Sequence, residues 1–207
     1  MSAGCYGHDL AHISGKDRRQ ALAMLLGGGL AGAALGAPRQ AWAGATQMAP
    51  LPGDEHFMRI AIAEAARADF PFGAVIVRDG NVLSTGRNLG RTTNDPTAHG
   101  EMVAIRRFVA VRPAAELKGT TLYTSGEPCP MCMSAILWCG IGRVVFGASI
   151  EELATKLGQI MLTSRRVADA APFAAIAITS GVLAAEALAL FPKRAGDKRS
   201  GKMSRRL

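Results

Sequence analysis

Two kinds of hydrophobic pattern alternate along most of this chain: apolar residues at helical spacing, and short apolar runs. The first helix is predicted over residues 54–68 and begins at Asp54, a residue type that caps helices. Its apolar face is formed by positions three and four apart, namely Phe57, Ile60, Ala61 and Ala65. The first two strands are predicted at 72–78 and 82–86, because Asp79-Gly80-Asn81 between them is typical of a β-hairpin turn.

Beyond the hairpin, helical and extended segments continue to alternate. Further strands are predicted at 120–124, 143–146 and 174–179, and helices at 99–111, from 130, from about 150 and at 182–190, with an irregular stretch up to Pro172. Strands separated by helices must join through crossover connections, so the pattern predicts an α/β fold whose sheet is covered on both faces. The unbroken apolar run 74–77 agrees, since a strand buried on both sides shows no polar alternation.

The positive charge of the chain lies at its two ends. The formal net charge is +8, which alone would suggest a nucleic-acid partner. Residues 1–43 carry +2 and residues 193–207 carry +6, whereas residues 44–192 hold thirteen charges of each sign. The basic, aromatic-free segment 193–207 is typical of a disordered tail. The body 44–192 shows no electrostatic footprint for nucleic acid, and a nucleic-acid partner is not favoured.

Residues 1–43 are predicted to be an export signal. Arg18-Arg19 precede an apolar, glycine-rich run over 21–37, and Ala41-Trp42-Ala43 places small residues at both positions that cleavage requires. The paired arginines indicate the twin-arginine export machinery and a periplasmic destination, with Ala21 standing where such signals more often have a bulky residue. An ordinary secretory leader and an uncleaved anchor remain as alternatives.

Residues suited to a metal ion fall in two clusters of the chain. His99 stands in one cluster, Cys129 and Cys132 stand in the other, and Glu101 follows the histidine by two positions. Three protein ligands on a tetrahedral zinc leave a fourth position for water, which is the catalytic form of a zinc site. Zinc lowers the pKa of that water from about 16 to roughly 7, so the sequence predicts a zinc hydrolase with one Zn²⁺ per chain.

The spacing of these residues supports the prediction. Cys129 and Cys132 would lie on one face of a helix about a turn apart, and Pro130 between them suits a first helical turn. The positive end of the helix dipole would favour the thiolate form that zinc binds. Glu101 is poorly placed as a second ligand beside His99, because residues two apart on a helix point away from each other. It is better placed to hold the bound water and move its proton.

His-x-Glu followed by Pro-Cys-x-x-Cys is the zinc nucleobase deaminase signature, and the chain resembles that superfamily over residues 55–191. Two further segments, residues 71–88 and 121–132, resemble its guanine deaminase and nucleoside deaminase branch. The resemblance implies a three-layer α/β/α fold with a five-stranded mixed sheet and a zinc deaminase domain over residues 44–192. It also implies a small nucleobase or nucleoside substrate and a homodimer.

The same resemblance assigns roles to individual residues. Glu101 is implied as the catalytic proton carrier, with His99, Cys129 and Cys132 as zinc ligands. The substrate is implied to contact four residues: Phe72 by stacking, and Asn88, Ala74 and Gly100 by hydrogen bonds, the last two through backbone. Gly100 stands where the superfamily usually has Ala or Val, and residues 156–161 lack the acidic pair of guanine deaminases. The base or nucleoside that the chain accepts is therefore open.

Four alternatives compete with this interpretation. A structural zinc site would need a fourth ligand, such as Cys139 or His56, and would leave Glu101 unexplained. A tRNA adenosine deaminase is disfavoured by Phe72 and Pro130, where that branch usually has a small aliphatic residue, and by the neutral body. A zinc protein that binds nucleobases without turnover would release no ammonia. A redox protein using the two cysteines would need no zinc.

Overall fold

A computed structural model describes residues 44–191 of the chain. The predicted export signal 1–43 and the predicted tail 193–207 lie outside the described residues and stay predictions. Within the part that is described, no helix combines the length and the apolar character needed to span a membrane.

Six strands and six α-helices follow one another along the described chain. The strands are β1 (Ala45–Gln47), β2 (Gly73–Arg78), β3 (Asn81–Arg87), β4 (Thr121–Gly126), β5 (Arg143–Ala148) and β6 (Ile176–Thr179). The helices are α1 (Asp54–Ala65), α2 (Gly100–Val111), α3 (Pro130–Trp138), α4 (Ile150–Ala154), α5 (Ser164–Asp169) and α6 (Ala184–Ala189), with a 3₁₀ turn at Ala114–Leu117.

The strands form one mixed sheet in the order β1-β6-β5-β4-β2-β3. β2 runs antiparallel to both β3 and β4, whereas β4, β5, β6 and β1 pair in parallel. The α/β class with a mixed sheet is confirmed, and the difference from the prediction is a sixth strand. That strand, β1, is three residues long; it pairs with β6, and a bond from Met48 N to Ile178 O continues the pairing.

The hairpin of β2 and β3 turns where the sequence predicted. Asp79 and Gly80 both have positive φ, 49° and 75°, which is the conformation of a two-residue type I′ turn. The register shifts between Ile76 and Val77, so a β-bulge interrupts the ladder just before the turn. The hairpin brings the end of β3 back beside Gly73, at the start of β2.

Hydrophobic residues are buried on both faces of the sheet, as the apolar run in β2 predicted. Alternate β2 residues enter different clusters: Ala74 and Ile76 pack with Phe108 of α2 and with α3, whereas Val75 and Val77 pack with Met58 of α1. The protein therefore has the expected three layers, with α2, α3 and α5 covering one face. α5 was not predicted, because its six residues lie in a stretch without a clear helical period.

The predicted capping role of Asp54 is wrong. Gly53 occupies the N-cap position with φ 92°, and Asp54 is the first residue of α1, with a buried side chain. Its carboxylate accepts hydrogen bonds from Leu51 N, from Tyr123 Oη and from both terminal nitrogens of Arg143, at 2.7–2.9 Å. The residue thus anchors α1 to β4 and β5. The helix also ends at Ala65, earlier than predicted.

Candidate functional site

The three candidate metal ligands all lie at helix N-termini. His99 is the N-cap of α2 and Cys129 is the N-cap of α3, both with extended backbone, and Cys132 lies in the first turn of α3. Pro130 occupies the first turn of α3, where its missing N–H is not needed. β4 ends at Gly126 and leads directly into the cysteine segment. Two helix starts that are far apart in sequence therefore meet at one end of the sheet.

The three ligand atoms converge on a common point. His99 Nδ1 lies 3.6 Å from Cys129 Sγ and 3.5 Å from Cys132 Sγ, and the two sulfurs are 3.6 Å apart. A tetrahedral zinc with bonds of about 2.3 Å to sulfur and about 2.0–2.1 Å to nitrogen separates its ligand atoms by roughly 3.5–3.8 Å. The donor set and its spacing therefore fit one zinc ion, and the three residues could hold it.

The cluster favours a thiolate. The hydrogen bond between Cys129 and Cys132, supported by His99, lowers the pKa of Cys129 to about 4. The same contact with Cys129, together with burial, raises the pKa of Cys132. The hydrogen bond with Cys129 also raises the pKa of His99, although burial opposes it. At least one sulfur is thus in the form that zinc binds at neutral pH.

Glu101 lies beside the cluster and outside its ligand set. It is in the first turn of α2, is 4% exposed, and its Oε1 accepts a hydrogen bond from Thr124 Oγ1 at 3.3 Å. Burial is the main cause of the raised pKa of its carboxyl group. Among the described residues, the group that could hold a metal consists of His99, Cys129 and Cys132 alone.

A cavity of about 390 Å³ opens next to these residues. Its lining includes candidate metal, catalytic and substrate residues predicted from the sequence, together with residues that had no predicted role. The full lining is Phe70, Phe72, Asn88, Pro96, His99, Glu101, Glu127, Cys129, Met131, Leu157, Gly158, Gln159 and Ile160. Residues 157–160 of this lining have no helical or strand period, and the sequence pointed to them only through the resemblance, as the neighbourhood that lacks the acidic pair of guanine deaminases. Only the folded chain shows that they line the cavity beside the metal cluster.

Two of the four predicted substrate residues line this cavity. Asn88 is 5% exposed, its backbone N–H donates to Phe72 O at 2.9 Å, and its Oδ1 accepts from Gly90 N at 3.1 Å. The bond from Gly90 N fixes the orientation of the amide, and its two N–H donors have no hydrogen-bond acceptor among the described residues, so Asn88 can donate to a bound molecule. Phe72 contacts Phe191 edge to face at 5.3 Å between ring centroids, and this contact helps to fix the position of its ring.

The structure does not bring Ala74 and Gly100 to the cavity lining within the described part of the chain. Ala74 is fully buried in the sheet and pairs with residues of both neighbouring strands. A Cβ atom on Gly100 would lie 3.1 Å from Phe72 O and 3.2 Å from Gly73 Cα. Gly100 therefore lets α2 approach the backbone that carries Phe72, and the predicted substrate contacts of Ala74 and Gly100 stay predictions.

Comparison with known proteins places this chain among enzymes with such a centre. The family model of the cytidine and deoxycytidylate deaminase zinc-binding region matches residues 52–148. The chain is 49% identical over 84 residues to a guanine deaminase of Bacillus subtilis, covering 41% of this chain and 54% of that protein. It is 38% identical over 155 residues to a tRNA-specific adenosine deaminase of Haemophilus influenzae, covering 70% of this chain and 87% of that protein.

A solved structure gives the same picture. It comes from a study of A-to-I editing by tRNA:A34 deaminases, and it matches with a TM-score of 0.55 and 33% identity, over 66% of this chain and 99% of that chain. The match to the guanine deaminase, in contrast, spans only about half the length of that relative.

Proposed function

Because the chain belongs to the zinc-dependent cytidine and deoxycytidylate deaminase family, we propose that it is a hydrolytic deaminase of a purine or pyrimidine nucleobase or nucleoside. The family resemblance predicted from the two motifs is thereby confirmed. The observation that carries the proposal is the convergence of His99, Cys129 and Cys132, within 3.5–3.6 Å of one another, beside Glu101 and a cavity.

The reaction replaces an exocyclic amine of a ring by oxygen. When bound by His99, Cys129 and Cys132, zinc supplies a Lewis acid that makes water nucleophilic near neutral pH. The attacking water forms a C–O bond with the ring carbon, the C–N bond to the amine breaks, and ammonia leaves. Glu101 takes a proton from the water and delivers protons to the ring nitrogen and to the departing amine. The two protons of water end on the ring and on ammonia, so no redox partner is needed.

The cavity suits a flat, neutral ring. Apolar side chains form much of the lining, and its two carboxylates, Glu101 and Glu127, are both buried. We propose that Phe72 stacks on the ring and that Asn88 donates hydrogen bonds to acceptors on its edge. Residues 157–160 of the lining supply the uncharged Gln159 and no acidic side chain, which supports recognition of the ring by amide groups. These features support a base or nucleoside without assigning guanine.

A tRNA adenosine deaminase is the second candidate. Its support is the match over 87% of the Haemophilus influenzae relative and over 99% of the solved tRNA:A34 deaminase chain. Against it stands the charge balance of residues 44–192, which sums to zero and so supplies no net positive charge to attract a polyanion. The two candidates differ in one measurable property, which is whether the free base or the tRNA is turned over.

Export and assembly are separate proposals. We propose that the twin-arginine pattern in residues 1–43 directs the chain to the periplasm, with cleavage after Ala43. Export would also separate the protein from tRNA, which supports a small substrate. The homodimer that the resemblance implies stays a prediction.

The test is an ammonia-release panel on the zinc-loaded full chain, covering guanine, adenine, cytosine, their nucleosides and a substrate tRNA. We expect turnover of at least one base or nucleoside and none of the tRNA. Turnover of the tRNA alone would replace the first candidate by the second. Release of ammonia from no compound, by a protein that holds one zinc per chain, would contradict both and leave a binding protein.

A further inference from the structure

Glu127 is a buried carboxylate that the reaction described above does not use. It stands two residues before Cys129, and it is 6% exposed. Its Oε2 accepts a hydrogen bond from Ile150 N at 2.9 Å, and its Oε1 accepts from both N and Oγ of Ser164, at 2.8 and 2.7 Å. Three donors thus occupy both carboxylate oxygens, and the side chain holds two distant points of the chain at once.

Along the chain, those two points flank a segment that lines the same cavity as Asn88. Ile150 is the first residue of α4, Ser164 is the first residue of α5, and the wall segment (residues 157–160) lies between them. The outer part of this stretch is exposed to solvent, with Ile160 at 66% and Met161 at 58% of their surface. A stretch with so little burial depends on its ends for its position.

A second link joins Glu127 to the metal side of the cavity. Its backbone N–H donates to Ala148 O at 2.7 Å, at the end of β5. The residue is therefore fixed to the sheet by its backbone and continues directly into the cysteine segment, and its side chain binds Ile150 and Ser164 on either side of the wall segment. Glu127 thus links the cysteine segment to both ends of the stretch that contains the wall segment.

We propose that Glu127 is a positioning residue that sets the distance between the wall segment and the zinc-binding cysteines, and that it thereby controls substrate affinity. This inference rests on the proposed function for its kinetic meaning. Carboxylate hydrogen bonds to backbone N–H groups are stronger than neutral ones, so a carboxylate suits this task better than an amide. Glutamine keeps the size of the side chain, but its amide nitrogen cannot accept a hydrogen bond. At least one N–H of Ile150 or Ser164 would then face another donor.

The experiment compares Glu127→Gln with Glu152→Gln in the full, zinc-loaded chain. Glu152 is a matched control, because it also accepts from a backbone N–H at the start of α4, that of Ser149 at 2.8 Å, but is exposed. Ser164→Ala removes only one of the three donors to Glu127. Zinc content, kcat and KM are measured with the best substrate of the ammonia panel, and hydrogen exchange is followed over residues 155–163.

For Glu127→Gln we expect KM to rise about tenfold, the scale of one lost hydrogen bond to a charged group, with kcat within about threefold and one zinc per chain. Exchange over 155–163 should accelerate, Ser164→Ala should show a smaller change of the same kind, and Glu152→Gln should show none. Unchanged KM and exchange would overturn the proposal. So would loss of zinc, or a fall in kcat alone, since either places Glu127 in a different role.

Failure of the proposed function would be visible separately. If the wild-type chain releases no ammonia from any compound of the panel, the deaminase assignment is wrong. The exchange comparison between Glu127→Gln and Glu152→Gln would still decide whether Glu127 holds the wall.

Discussion

Replacing Glu101 by glutamine removes the ability to carry a proton while keeping the size of the side chain. Glu101 is 4% exposed, and it accepts a hydrogen bond from Thr124 Oγ1 at 3.3 Å. The glutamine oxygen can accept the same bond, so we expect the fold and the three-residue cluster to persist. Zinc content should stay at one ion per chain, because Glu101 is not among the residues that could hold the metal.

The size of the expected loss follows from the surroundings of Glu101. A positioned acid–base group contributes about 10²–10⁴-fold in rate, which is about 2.7–5.4 kcal/mol of transition-state stabilisation. The other carboxylate of the cavity, Glu127, has both oxygens occupied by three donors and cannot take over. We therefore expect Glu101→Gln to lose at least about a hundredfold in kcat.

The assay is ammonia release by Glu101→Gln at saturating substrate, with zinc measured on the same sample. Glu151→Gln, an exposed change in the first turn of α4, serves as the control and should match the wild type. Turnover within about threefold of the wild type, with full zinc content, would remove Glu101 from the proton transfer and refute the mechanism.

Three further changes test the centre, the scaffold and the cavity. Cys132→Ala should lose both zinc and activity, and retention of one zinc per chain by elemental analysis would contradict its place in the cluster. Asp54→Ala should lower the free energy of unfolding in urea by about 3–5 kcal/mol, since it leaves buried Arg143 without its counter-charge. Burial alone would raise the pKa of Asp54, but hydrogen bonds, led by the one from Arg143, hold that pKa below the ordinary value of 3.8. The ionised carboxylate therefore stabilises the fold fully above pH 3.8, and this stabilisation is lost as the pH falls through the lowered pKa. The difference in unfolding free energy between wild type and Asp54→Ala should accordingly shrink in acid. Gly126→Ala would place a Cβ atom 3.0 Å from the Phe72 ring and 2.9 Å from a Leu153 methyl group. We therefore expect a loss of about 1–3 kcal/mol in the free energy of unfolding and a raised KM. Unchanged KM and kcat would show that the position of the Phe72 ring does not affect substrate binding.

The features that the sequence predicted well depend on neighbouring residues. The hairpin turn at Asp79-Gly80 needs only two residues that tolerate positive φ. The zinc ligands are defined by short motifs whose residues sit at helix starts, and spacing of three positions along α3 fixes how the two cysteines face. The α2 boundary at Val111 was also predictable, because Pro113 follows it closely.

The features that the sequence did not predict depend on partners far along the chain. Aspartate is a common N-cap residue, but the hydrogen-bond partners of Asp54, Tyr123 and Arg143, lie 69 and 89 residues away in the sequence. β1 has no pattern of its own and becomes a strand only beside β6. The resemblance pointed to residues 156–161, but nothing in the sequence predicted that Glu127 joins the starts of α4 and α5 on either side of them. In each case the deciding hydrogen bond is non-local.

The chemistry and the selectivity of this protein rest on elements of different rigidity. The three ligands and Glu101 lie on the first turns of α2 and α3, which pack on buried strands through residues such as Phe108 and Met133. A deamination centre needs positions accurate to a fraction of an ångström, and helix starts on a packed sheet provide them. The wall segment lies in the connection between α4 and α5, whose two ends bind the Glu127 carboxylate. Under the proposed function, we expect substitutions in the wall segment to change which ring is accepted while zinc content stays at one ion per chain.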